Sequence, residues 1–117
     1  MSQHWFTNVN NRQVLYGSDK PTGGFFYTEF YRDDEIGNED HDVVIAKSAL
    51  TINEIIFELK ENQGYDLSGE EINSILNDWS SESAPTPFQH NISKMFGFDL
   101  SEQLSRTESS ILGYINN

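Results

Sequence analysis

The sequence predicts an α+β fold: a small, mainly antiparallel sheet in the N-terminal half, packed against a helical hairpin and a C-terminal helix. Three observations carry this. Up to about residue 50, short aromatic and β-branched runs alternate with turn chemistry. After that, two capping boxes, Thr51-Ile52-Asn53-Glu54 and Ser68-Gly69-Glu70-Glu71, each open an apolar pattern at i, i+3, i+4 and i+7. Finally, strands precede helices instead of alternating with them, which argues against a parallel βαβ sheet. A chain of 117 residues is read as one domain, 1–117, with segment 80–90 crossing the surface.

The elements follow in chain order. His4 to Thr7 is a short aromatic strand. Asn8-Val9-Asn10-Asn11 is a turn, because Asn tolerates left-handed backbone. Gln13 to Tyr16 completes a first hairpin. Gly17 to Gly24 reads as a turn-rich loop. Phe25 to Tyr31 is the third strand, with Phe25, Tyr27 and Tyr31 on one face and Phe26 and Phe30 on the other. Aromatics on both faces call for cover on both sides, at least in part. Val43-Val44-Ile45-Ala46 is a short apolar strand.

In the first helix, Ile52, Ile55, Ile56 and Leu59 share one arc, and Gly64 is placed to end it in left-handed conformation. In the second, Ile72, Ile75, Leu76 and Trp79 repeat that spacing. A short connection, Gln63 to Leu67, makes the two an antiparallel pair whose stripes pack on each other or on the sheet. Phe88 to Phe98 holds one or two helical turns around Ile92, Met95 and Phe96. Asp99-Leu100-Ser101-Glu102 starts a further helix, with Leu100, Leu104, Ile111 and Ile115 on one face and Tyr114 at its edge.

Composition narrows the function. Nineteen acids stand against seven Lys and Arg, a formal net charge of -12. Acidic disordered chains are poor in aromatics, whereas aromatic residues make up 13% here, so the chain is read as folded. An acidic surface repels phosphate backbones and anionic membranes, and no apolar run approaches the roughly 20 residues of a membrane span. Direct nucleic-acid and membrane binding are therefore not expected. The chain has no Cys, so thiolate metal sites and disulfides are ruled out. With no secretory pattern at the N-terminus, the expected location is cytoplasmic.

Candidate chemistry is sparse. Six acids fall in one ten-residue window: Asp33, Asp34, Glu35, Glu39, Asp40 and Asp42. An EF-hand loop needs oxygen ligands at positions 1, 3 and 5 and Gly at 6; no frame starting at Asp33 or Asp34 satisfies this. The bland reading is a solvated hairpin loop. Glu54, Glu58 and Glu61 line one side of the first helix, and Glu70, Glu71 and Asp78 the second, with Lys60 the one cation close by in sequence. His4, His41 and His90 lie in three different elements and suggest no catalytic pairing. Gly23-Gly24 precedes a strand, so it does not open the helix N-terminus a phosphate cradle requires. Trp5, Phe6, Tyr16, Phe25, Phe26, Tyr27, Phe30 and Tyr31 suit a core better than a pocket.

The expected function is a small, acidic, non-catalytic protein-interaction module, an inhibitor or adaptor that docks on a basic, nucleic-acid-binding protein surface. Carboxylates would stand in for phosphates. The partner-binding residues expected are Asp33, Asp34, Glu35, Glu39, Asp40, Asp42, Glu54, Glu58 and Glu61. No catalytic residue, cofactor or metal is expected. The alternative is a small-molecule or cation-binding domain with an aromatic-lined site. A further possibility places the contact on the aromatic sheet face.

Overall fold

The computed structural model describes residues 1–35 and 42–116. Four strands, β1 (His4–Thr7), β2 (Gln13–Asp19), β3 (Gly24–Phe30) and β4 (Val43–Leu50), form an antiparallel meander in the order β1-β2-β3-β4. Four helices follow: α1 (Ile52–Gln63), α2 (Gly69–Ser81), α3 (Pro87–Met95) and α4 (Leu100–Ile115). The α+β class expected from the sequence is the one observed. The shortest dimension, 21 Å, is the depth of one sheet and one helical layer.

Period-two alternation decides which strand residues enter the core. Phe6 lies opposite Val14, Val14 opposite Glu29, and Glu29 opposite Ile45, a row across all four strands. The adjacent row on this face runs His4, Tyr16, Tyr27, Lys47. Against it pack Ile52, Ile55 and Leu59 of α1, Ile72, Ile75 and Trp79 of α2, and Ile111 of α4. Both helical stripes turn to the sheet: α1 crosses β3 and β4 and touches α4, while α2 lies on β2. On the opposite face Phe26 is buried, whereas Trp5 packs on Phe30 with ring centroids 5.8 Å apart and stays 54% exposed. Cover on both sides of the aromatic strand is therefore partial.

Several boundaries differ from the sequence reading. β2 continues to Asp19 because Gly17 and Ser18 pair with Phe26 and Phe25, leaving only Lys20–Thr22 and Gly23 to make the turn. β4 continues to Leu50 through two register breaks, with Ala49 at φ 55. Each break inserts an extra residue, the local signature of a β-bulge. That hides the alternation in the sequence. Gly24 has no room for a side chain, since a Cβ there would lie 2.6 Å from the Leu50 carbonyl oxygen.

The helix ends follow local chemistry. Thr51 and Ser68 accept from the backbone N–H of Glu54 and Glu71, whose carboxylates accept from the Thr51 and Ser68 backbone in return. Gly64, at φ 65, closes α1 as expected. Segment 88–98, ambiguous in sequence, holds α3, with its own capping box, Thr86 and Gln89, and Pro87 in the first turn. The surface crossing is accordingly shorter than 80–90, since α2 runs to Ser81 and α3 starts at Pro87. On α4, Leu100 and Ile111 are buried as expected, but Ile115 is exposed. The centre of that face is Thr107, fully buried, whose hydroxyl donates to the Gly23 carbonyl at 2.6 Å.

Candidate functional site

The acidic window begins where β3 ends. The Tyr31 N–H donates to the Asp42 carbonyl at 2.8 Å, which closes the base of the β3–β4 connection. Glu39 and Asp40 lie outside the described residues. Between Arg32 and Glu35 the chain turns, with the Glu35 N–H donating to the Arg32 carbonyl at 2.9 Å. The Glu35 carboxylate accepts the Arg32 N–H at 3.0 Å.

Arg12, just after the β1–β2 turn, is the hub of this end of the molecule. It donates to both oxygens of Glu35, at 3.1 and 2.7 Å, and to Glu29 at 3.1 Å. Its guanidinium carbon stands 5.1 Å from the centroid of the Tyr31 ring. The Arg12 hydrogen bonds, helped by the Arg32 N–H, pull the Glu35 carboxyl down to about 2. Glu35 and Glu29 in turn hold the Arg12 guanidinium above its ordinary value.

Behind Arg12 the network enters the core. Glu29 is buried, and its second oxygen accepts from the Gln63 amide at 2.8 Å. The Gln63 side-chain oxygen accepts from Asn8 at 2.8 Å, and the Asn8 oxygen accepts the N–H groups of Asn10 and Arg12. Gln63 is the last residue of α1. One polar chain, Glu35–Arg12–Glu29–Gln63–Asn8, thus ties the base of the acidic connection, the β1–β2 turn and the end of α1 together. Buried polar groups in this state are satisfied, and removing any one strands its neighbours.

The α1 acids divide. Glu54 caps the helix and accepts from Arg106 of α4 at 2.9 Å. Burial pushes its carboxyl up, but the Thr51 backbone and hydroxyl together with Arg106 outweigh that, and the balance lies below the ordinary value. Glu58 pairs with Lys47 of β4 at 2.9 and 3.0 Å and accepts the Tyr27 hydroxyl at 2.9 Å. Lys47 chiefly lowers its pKa. Lys47 is far from Glu58 in sequence, so the sequence reading missed it. Glu61 is exposed and makes no ion pair among the described residues, and the same holds for Asp33 and Asp42. Asp34 meets the Arg32 side chain at 3.1 Å, its one ion pair among the described residues, and is largely exposed. Two acids of α2 are engaged too: Glu71 accepts from Tyr65 at 2.6 Å and Tyr16 at 3.2 Å, and Asp78 meets His4 at 2.7 Å, whereas Glu70 is exposed and makes no ion pair among the described residues.

The chain has no significant match to any protein-family model, curated protein or solved structure.

The aromatics are mostly spent in packing: Phe6, Tyr16, Phe25 and Tyr27 belong to the core. An open groove of about 490 Å³ between α3 and α4 is lined by His90, Lys94, Phe98, Leu100 and neighbours, with Phe98 as its single aromatic. Among the described residues, no three His, Asp or Glu gather as a metal would require. Nor is any helix among them long and apolar enough to cross a membrane.

Sequence reasoning overlooked two features. One is Arg12, whose side-chain partners Glu29, Tyr31 and Glu35 lie at the end of β3 and in the connection after it. The other is the exposed stripe Phe88, Ile92, Met95 and Phe96 on α3. Its spacing was legible, but which way it points was not.

Proposed function

We propose that this chain is a cytoplasmic, non-catalytic protein-interaction module whose acidic end docks on the basic surface of a nucleic-acid-binding protein. The observation that carries the reading is the Arg12 network. It fixes the base of the β3–β4 connection beside the C-terminal end of α1. Asp33, Asp34 and Asp42 flank the base that this network holds, and Glu61 precedes Gln63 on the last turn of α1.

Charge balance at this end supports the reading. Arg12 and Arg32 are outnumbered by Glu29, Asp33, Asp34, Glu35 and Asp42. Glu35, half-buried, has a different part from the one its place in a loop suggests: it spends its charge on Arg12 and positions the turn. Glu54 and Glu58 likewise brace α1, through Arg106 and Lys47. The contact itself falls to the free carboxylates. Rigid carboxylates on a negative surface steer a cationic partner and lose little freedom on docking.

The test is capture from host lysate at roughly 50 mM and 500 mM salt, where screening differs severalfold. The bait is the native chain beside a variant with Asp33, Asp34, Asp42 and Glu61 changed to Asn or Gln. A nucleic-acid-binding partner held at low salt by the native chain alone is the expected result. Equal capture by the variant, or no loss at high salt, refutes the reading.

A further inference from the structure

α3 is built the wrong way round for a surface helix. At about 100° per residue, Phe88, Ile92, Met95 and Phe96 occupy one arc about 100° wide. A surface helix turns such an arc to the core. Here these four residues are 72%, 38%, 79% and 83% exposed, and the half-buried residues of the helix are the polar Gln89, His90 and Ser93. Phe98, past the helix end, adds to the patch at 37% exposure. The capping box and Pro87 fix where the helix starts, and it packs against α4.

We infer that the α3 face, Phe88, Ile92, Met95, Phe96 and Phe98, is a self-association surface on which a second copy of this chain docks about a two-fold axis. Area is the first argument. With about 200 Å² for a large side chain, the exposed fractions leave on the order of 600 Å² of apolar surface per copy. That is at or above the largest patch a monomer ordinarily shows. Two copies face to face bury roughly 1,200 Å², the lower edge of a specific interface.

Charge is the second argument. A two-fold contact sets each surface against itself. A patch containing acids would therefore repel its own image, and on a chain of net charge -12 that penalty applies to most of the surface. Between Glu82 and Asp99, however, sixteen residues carry no acid. Lys94 and Asp99, which line the groove beside Phe98, bring both signs close to the patch, and a two-fold contact sets each against the opposite sign of the other copy.

The inference is independent of the acidic-end reading, and salt distinguishes them. Screening weakens docking of carboxylates on a basic partner but removes repulsion between two acidic copies. The test is analytical ultracentrifugation of the full chain from about 1 μM to about 500 μM, at roughly 50 mM and 500 mM salt. The expected result is a reversible change from one chain to two, at lower protein concentration in high salt.

Met95→Asp and Phe96→Asp should each weaken the dimer by about a hundredfold or more. Both side chains are exposed, so native far-UV circular dichroism should be retained. Phe57→Asp, at an exposed position on α1, should leave the dimer intact. A chain that stays monomeric throughout overturns the inference, as does a dimer indifferent to both α3 variants. Protection of the α3 face only by a different protein overturns it in favour of a foreign partner.

Discussion

Gln63→Met tests the polar chain that organises the acidic end. Met has nearly the length and volume of Gln but neither donates nor accepts as the amide does. Gln63 is 2% exposed, and its two hydrogen bonds, to Glu29 and from Asn8, are both buried at 2.8 Å. The variant strands one carboxylate oxygen of Glu29 and the Asn8 amide N–H. Each stranded buried group costs about 1–3 kcal/mol, with a charged one toward the upper end. Glu29 keeps Arg12, and Asn8 keeps both backbone donors, so neither group is wholly lost. The expected destabilisation is about 3 kcal/mol, or a drop of roughly 10 °C in Tm for a domain of this size. Urea unfolding at neutral pH measures it. A double-mutant cycle with Asn8→Ala adds a second reading: the pair should cost about 1 kcal/mol less than the sum of the singles. A Gln63→Met cost below about 1 kcal/mol would refute the claim that the network is buried and satisfied as a unit.

Two further outcomes follow. Glu35 titrates at about 2 in the folded state against an ordinary value of 4.5, and Glu54, Glu58 and Glu71 are also lowered. Lowered carboxylates contribute stability above their unfolded value and lose it as pH falls through the folded one. Urea midpoints should therefore be flat down to about pH 5 and fall steeply from there toward pH 2; a midpoint unchanged at pH 3 contradicts the ion pairs. Thr107→Val removes a buried donor from the Gly23 carbonyl and should cost about 1–2 kcal/mol in the same assay.

Local chemistry made much of the fold legible. The boxes at Thr51 and Ser68 act within four residues, so the sequence contains all that they need. The same holds for the Ile52, Ile55, Leu59 stripe and the Gly64 stop. What failed was non-local. The bulges in β4 depend on how β3 pairs with it, so Lys47 to Leu50 did not read as strand. Thr107 looks like a surface residue until the Gly23 carbonyl is brought to it, 84 positions away along the chain. The acids illustrate this most clearly. From the sequence Glu54, Glu58 and Glu61 form one row. Folding sends Glu54 to Arg106 and Glu58 to Lys47, and leaves Glu61 without an ion pair among the described residues.

Net charge alone is thus a poor guide to where such a protein touches its partners. Many of the acids here are structural acceptors: for helix N-termini, for the Tyr16, Tyr27 and Tyr65 hydroxyls, for Trp79 through Glu108, and for the buried Gln63 amide. A carboxylate that accepts such bonds is fixed in place and partly neutralised. Its removal would change stability before it changed recognition. The informative residues are those that carry charge but no such task among the described residues, Asp33, Asp42 and Glu61 among them, and those with apolar area but no core, Phe88, Met95 and Phe96. The first group acts through a field that salt screens, the second through apolar area whose self-contact gains when salt screens the repulsion between two acidic copies. Opposite responses to ionic strength therefore separate a contact made by the acidic end from self-association through α3, even before the partner of the acidic end is known.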